Sequence, residues 1–239
     1  MTLEPSRVLD LDNFHRFAVW MFDGPDEAHA RALAIVRAAP DAGFTAWVAS
    51  LIRALAVVEP RGRVHSDGFV ALDALLRLDP DHTVEPALGC DRDRLRVLQW
   101  ELKQGCLTAA VRALWPTRRG LFVLVHVLGL NHARVAEAFE TSVASVRITH
   151  ARTLRTLESF LGPRCQHLNP GNPCRCEARL GVALERGLVD WPPQRPTPPA
   201  SPFDGHTRDL LDLYRQLPPV QLDTHASAAL EAACNSASV

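Results

Sequence analysis

The chain predicts an all-α fold: two small helical domains followed by a C-terminal extension. Three observations lead there. Apolar residues recur at three- and four-residue intervals through most of the 239 residues, while alternation of strand type is scarce. Turn-forming groups cut these runs into helix-sized pieces: Asp23-Gly-Pro-Asp, Pro40 to Gly43, Pro60-Arg-Gly-Arg, Asp79-Pro-Asp and Glu85-Pro-Ala. At 47% hydrophobic and 22% charged, the chain can bury real cores.

The elements follow in order. Phe14, Phe17, Ala18 and Met21 recur at helical spacing and predict a first helix. The Asp23-Gly-Pro-Asp turn offers an N-cap for a second, Glu27 to Ala38, which Pro40 and Gly43 end. Phe44 to Val58 is a third, with Trp47, Leu51, Ala54, Leu55 and Val58 on one face. Together they make a first domain, residues 1–60. Residues 61–91 read as a linker with one short helix near Phe69–Leu78. Residues 92–164 form a second helical domain. Within it an apolar helix runs to Leu128-Gly129-Leu130, and a short helix centred on Ala136 follows. Glu140-Thr141-Ser142 breaks the chain before a long amphipathic helix. Residues 165–190 hold a Cys/His cluster and a short helix near Ala178–Arg186. Residues 191–239 begin as a stiff linker, with six prolines between 192 and 202. Two helices follow, Thr207–Leu217 and Thr224–Ala233. Leu210, Leu211, Leu213, Tyr214 and Leu217 make the first too apolar to hang free, so it should dock.

Net charge is −1, but it is unevenly spread. Residues 1–91 carry 8 basic and 14 acidic side chains, residues 92–164 carry 12 and 5, and residues 165–239 carry 6 and 8. Positive charge thus sits on the segment with two helices and a short turn, as phosphate binding requires. The N-terminal Met-Thr-Leu-Glu-Pro lacks an apolar export core, and the longest dense apolar run, Leu121 to Leu130, is too short to span a bilayer. A cytoplasmic protein with no membrane partner is expected.

The pair of helices around the Glu140 break has the layout of a helix-turn-helix, whose second helix lies in a DNA major groove. Ala136 is small enough for a close crossing, and Val135, Phe139 and Val146 would share its core. Ser142 suits the N-cap. Val146, Leu154, Leu157 and Leu161 follow one stripe, leaving Ser145, Arg147, Ile148, Thr149 and Arg152 on or beside the opposite face. Ser142 and these five are the candidate DNA-binding residues. The early turns would meet base edges and the later arginines phosphates. A plain helical hairpin with a solvated arginine face is the competing reading.

The wider string resembles region 4 of bacterial RNA polymerase sigma factors of the extracytoplasmic-function group. The matching residues are Leu114, Pro116, Arg119, Gly129-Leu130, Val135-Ala136-Glu137-Ala138, Ser142-Val143 and Val146-Arg147. Residues 13–58 resemble a reduced region 2 through Phe14 to Met21, Gly24-Pro-Asp-Glu-Ala and Phe44-Thr-Ala-Trp47-Val. The resemblance implies a transcription initiation factor whose partners are promoter DNA and core RNA polymerase, with an anti-sigma factor as a further candidate. The chain departs from the pattern at several places. The helix from Glu27 lacks the acid–glutamine series that grips polymerase, and Ala54 stands where an asparagine is usual. Arg61 and Arg63 are the only basic candidates near the melting region. Glu140 replaces the turn glycine, and Thr149-His150 replaces an arginine–leucine pair. A helix-turn-helix regulator that no longer acts as a sigma factor is therefore the alternative.

Cys165, His167, Cys174 and Cys176 place three thiols and an imidazole within twelve residues, around a Pro170-Gly-Asn-Pro turn. Such donors suit zinc, the candidate cofactor. Three readings stay open: a structural zinc knuckle, a metal or redox sensor with thiolates activated near Arg164 and Arg175, and plain structural cysteines. Several sigma factors of this group carry a similar Cys…Asn-Pro-Cys-x-Cys string just after region 4. Cys90, Cys106 and Cys234 stand apart and are expected as small buried residues, although Cys234 could reach the cluster from the tail. No Walker lysine loop, G-x-S-x-G, H-E-x-x-H or dinucleotide turn occurs, so no enzyme is predicted. His126 is expected as a satisfied core histidine.

Overall fold

The computed structural model describes residues 4–22, 24–58, 65–77, 92–189, 209–215, 217 and 224–235, and these are all-helical apart from one isolated β-bridge, Cys165 to Cys174. The helices are α1 (Pro5–Met21), α2 (Pro25–Ala38), α3 (Phe44–Val58), α4 (His65–Leu76), α5 (Arg92–Arg112), α6 (Pro116–Phe122), α7 (His132–Ala138), α8 (Val143–Leu161), α9 (Leu180–Glu185), α10 (Leu210–Arg215) and α11 (Thr224–Asn235). The third helix matches its expected bounds, and the others differ by a turn or less except at α1 and α4, which start earlier. Gly24, not an acidic side chain, occupies the N-cap of α2, and Pro25 opens it, where a missing N–H costs nothing. The acids of that turn, Asp26 and Glu27, lie in the first turn of α2, where they favour the helix dipole. No described helix is long and apolar enough to cross a membrane. Most of the 61–91 linker, the proline-rich stretch, Cys90, Arg61 and Arg63 lie outside the described residues.

The chain forms two compact units, each assembled from segments far apart in sequence. The first takes residues up to 65, Arg112–Leu154 and residues from 218 on. Its core is built by Phe14, Phe17 and Met21 of α1, Trp47 and Leu51 of α3, and Phe122 and Leu124 at the end of α6 and just beyond, all fully enclosed. The Trp47 ring lies 5.6 Å from Phe14, takes the Arg7 guanidinium on its face at 4.5 Å, and donates its indole N–H to the Ala39 carbonyl at 2.9 Å. These satisfy the polar and apolar parts of one side chain together. Gly120 lets α6 come close to its neighbours: a Cβ there would stand 2.6 Å from Ile52 Cδ1 and 3.3 Å from Phe17. Arg119, a residue of the sigma-like match, is 5% exposed and donates to the carbonyls of Met21, Arg112 and Leu114. It is a structural tie, and its charge is stabilised by main-chain dipoles.

α11 packs on α1 and α2 through Ala226, Leu230, Ala233 and Cys234. The Cys234 thiol points at the Pro40 carbonyl at 3.6 Å. Cys234 is thus a small buried residue of the first unit, as expected.

The second unit comprises Ser66–Val111 and Arg155–Leu217. Leu95 and Leu98 of α5 pack with Leu180 and Ala183 of α9 and with Val189. Phe69 of α4 meets Phe160 at 4.8 Å, and Asp73 accepts from Arg164 at 2.7 Å. The apolar segment around Leu210 docks as expected: Leu210, Leu213 and Tyr214 are buried, and the Tyr214 hydroxyl donates to the Leu107 carbonyl at 3.1 Å.

Candidate nucleic-acid interface and cysteine cluster

The interface is built by α7, the turn after it, and α8. Asn131 caps α7 by accepting from the N–H groups of Ala133 and Arg134, filling two of the orphan donors of a helix start. The helix stops in a paired set of reversed hydrogen bonds: Thr141 N–H donates to Ala136 O at 3.0 Å and Glu140 N–H to Glu137 O at 3.1 Å. This Schellman arrangement requires a left-handed residue, and Glu140 supplies it with φ 50°. Glu140 thus holds a conformation that glycine adopts without steric cost. Ser142 then caps α8, its Oγ accepting from the Ser145 N–H at 3.1 Å, as expected.

Val135, Ala136 and Val146 are buried at the crossing, while Phe139 is only half-buried. Leu157 and Leu161 continue the buried stripe, and Leu154 is half-buried. Ser142, Ser145, Arg147, Ile148 and Arg152 are all exposed, with Ile148 at 55%, and Thr149 is half-buried. A solvent-facing isoleucine among polar groups is the kind of side chain that meets a thymine methyl in a groove. Five of the six expected residues therefore share an open surface.

Three histidines come together behind it. His126 Nε2 lies 2.6 Å from His150 Nε2, and His132 Nε2 lies 3.1 Å from His150 Nδ1. His126 belongs to a π-type turn, Val123–Val127, that continues α6, and its ring rests on Phe122 at 4.9 Å. It is half-buried and paired across the helix-turn-helix rather than a lone core histidine. Burial, and then the neighbouring His132, hold the His150 imidazole below its usual value. The sequence contained no sign of this triad, because its members come from three elements.

The cysteine cluster is held by the Cys165–Cys174 bridge, in which Gln166 N–H donates to Cys174 O at 3.1 Å and Cys174 N–H to Arg164 O at 3.0 Å. Asn172 pins the turn by donating to the carbonyls of Gly162 and Cys165. His167 is buried, with Nε2 3.6 Å from Cys176 Sγ. Of the four expected donors, His167 and Cys176 meet side chain to side chain, while Cys165 and Cys174 are joined through their main chains. Among the described residues no group of three or more His, Cys, Asp or Glu side chains is placed to hold a metal ion. The donor chemistry suits zinc, but the geometry does not close around one point.

The thiols also differ from activated ones. Burial pushes Cys165, Cys174 and, furthest, Cys176 above their ordinary values. Arg164, expected to activate them, instead binds Asp73 and the Phe160 carbonyl and covers the Phe160 ring at 4.5 Å. Two further residues, one of them a cysteine read from the sequence as standing apart, belong to the neighbourhood. Burial, then Cys174 and Cys165, push the Cys106 thiol up to about 12. Lys103, the only lysine, is 4% exposed, and burial brings its ammonium down to about 8 against the pull of Cys176 and Cys165. One turn of α5 carries both, which only the fold could bring to residues sixty positions away.

No family model, curated protein or solved structure matches this chain.

Proposed function

We propose that the chain is a sigma-type transcription initiation factor that binds promoter DNA through α8 and core RNA polymerase through α1–α3. The observation that carries the reading is the exposed first half of α8, capped by Ser142 and presented by a Schellman-ended α7, within the most basic segment of the chain. Ser142, Ser145, Ile148 and Thr149 would face base edges, and Arg147 and Arg152 would contact bases or phosphates. Alanine at Arg147 or Arg152 should cost about 1–3 kcal/mol of binding if the contact is to a base. If the contact is to a phosphate, the slope of log affinity against log salt should flatten by about one unit. Fluorescence anisotropy across a salt series reads both, and a double variant with unchanged affinity and slope removes DNA from the proposal.

The reduced match of α2 and Ala54 to the polymerase-binding pattern favours a second reading, a DNA-binding regulator without sigma activity. Mixing the chain with bacterial core polymerase separates the two. A stable complex and promoter-dependent initiation support the first, and DNA binding without a complex supports the second. Modulation through Cys165, His167, Cys174 and Cys176 is the remaining part of the proposal, motivated by the His167–Cys176 contact and by the pull of Cys176 and Cys165 on the buried Lys103. Native mass spectrometry of reduced protein with zinc tests it: one bound zinc lost in Cys174→Ser supports a metal site, and no retained zinc removes it.

A further inference from the structure

The loop after α8 brings two cysteines together through the main chain. The Cys165 N–H donates back to the Leu161 carbonyl at 2.8 Å, so the loop hangs from the last turn of α8. Cys165 and Cys174 are then partners in the isolated parallel bridge. Neighbouring strands lie about 4.8 Å apart, and the side chains of opposed residues leave on the same side. A disulfide needs Cα atoms about 4.4–6.8 Å apart and Cβ vectors that do not diverge. The bridge meets both conditions before any bond forms. Pro170-Gly171-Asn172-Pro173 turns the chain between the two cysteines, and Asn172 ties that turn to the Gly162 and Cys165 carbonyls. Both thiols are free and partly exposed, so a small reagent can reach them. Cys176, the nearest competitor in sequence, meets His167 instead, at 3.6 Å.

We propose that Cys165 and Cys174 are a reversible disulfide pair, oxidised by exchange with a low-molecular-weight disulfide such as oxidised glutathione. As a regulatory step this rests on the modulation proposed for the cysteine loop, and it does not depend on the DNA reading. The Cys174 thiolate attacks one sulfur of the oxidised glutathione. The glutathione S–S bond breaks, one glutathione thiolate leaves, and a mixed disulfide forms on Cys174. The Cys165 thiolate then attacks the Cys174 sulfur and expels the second glutathione. Two cysteine thiols are oxidised, one glutathione disulfide is reduced to two thiols, and the two cysteine protons end on the glutathiones. Cys174 is the first attacking sulfur because the Arg179 guanidinium is hydrogen-bonded to it and favours its thiolate. Burial raises both thiols and slows the exchange, but the equilibrium follows from how readily the folded loop brings the two sulfurs together. The oxidised form closes residues 165–174 into a covalent ring at the end of α8.

The test equilibrates the full, reduced, metal-free chain in glutathione buffers of graded ratio, quenches with acid, alkylates the remaining thiols and maps the linkages by peptide mass spectrometry. The expected product is one disulfide, Cys165 to Cys174, reversed by dithiothreitol. In Cys165→Ser the mixed disulfide with glutathione should persist on Cys174. Asn172→Ala loosens the turn and should need a glutathione ratio about tenfold more oxidising for half-conversion, the factor that one or two lost hydrogen bonds give. The parent chain's own linkage map decides the pairing, so the test survives a variant that fails to fold. A chain that stays reduced at every ratio, a bond to any other cysteine in place of this one, or an Asn172→Ala variant that oxidises at the parent's ratio would each overturn the proposal. A chain that binds one zinc yet forms no disulfide would overturn the disulfide alone and leave the metal part of the proposed function standing.

Discussion

Three imidazoles can share two hydrogen bonds only while their protons are rationed. A neutral ring has one donor and one acceptor nitrogen, so each gap in the His126–His150–His132 chain holds one proton. The titratable rings facing His150 are His126, from the π turn after α6, and His132, from the start of α7. A doubly charged triad sets N–H against N–H. His150 is already held below its usual value by burial and by His132, so the folded form binds fewer protons than the unfolded chain. The stability this represents is complete above the unfolded value of about 6.5 and is lost as pH falls through the folded one. Urea midpoints at pH 7.5 and 5.5 should therefore fall more for the parent chain than for His150→Gln. Parallel curves for the two would show that the triad is not what titrates. A single protonation step here would act on the helix proposed to read DNA.

At the scale of elements, the turn between α7 and α8 pays a conformational cost that its sequence disguises. Left-handed backbone costs an ordinary L-residue about 1–2 kcal/mol, and Glu140 adopts it at φ 50°. Against this, its carboxylate makes an exposed ion pair with Arg53 at 3.5 Å, of a kind worth little. Glu140→Gly should thus raise stability by up to about 1 kcal/mol, part of the relief being offset by the freer unfolded chain. Glu140→Ala keeps the strain and should give no such gain in chemical denaturation. Equal midpoints for the glycine and alanine variants would place the strain elsewhere. The paired reverse hydrogen bonds and the Ser142 cap hold at Glu140 the geometry that glycine would adopt freely.

At the scale of the whole molecule, the units do not follow the linear segments of the chain. α6 and α7 pack against α3, α6 also meets α1, and Arg119 of α6 ends on the Met21 carbonyl. A fragment of residues 92–164, the segment that the helix-turn-helix pattern marks out, lacks α1 and α3. It would expose the faces of Phe122 and Val135 that they cover and would leave Arg119 short of an acceptor. Such a fragment should show no cooperative thermal transition by circular dichroism, whereas the full chain should melt cooperatively. A sharp transition in the fragment would mean that these contacts are dispensable.

Local physics made much of this legible beforehand. Helical periodicity marks α3 and α8, Ser142 announces its cap, and the Val146–Leu157–Leu161 stripe divides the buried from the exposed face, because these depend on neighbours three or four residues away. The exposed candidate residues of α8 follow from the same spacing. What the sequence could not convey depends on which distant segments meet. His126, His132 and His150 are unremarkable until three elements converge. Cys106 reads as isolated until α5 is set beside the cysteine loop. Arg164 reads as a partner for thiols until Asp73 of α4 takes it. Pairings of this kind are decided by burial and by competition among partners for one charge or one donor, and those exist only once the chain has closed on itself.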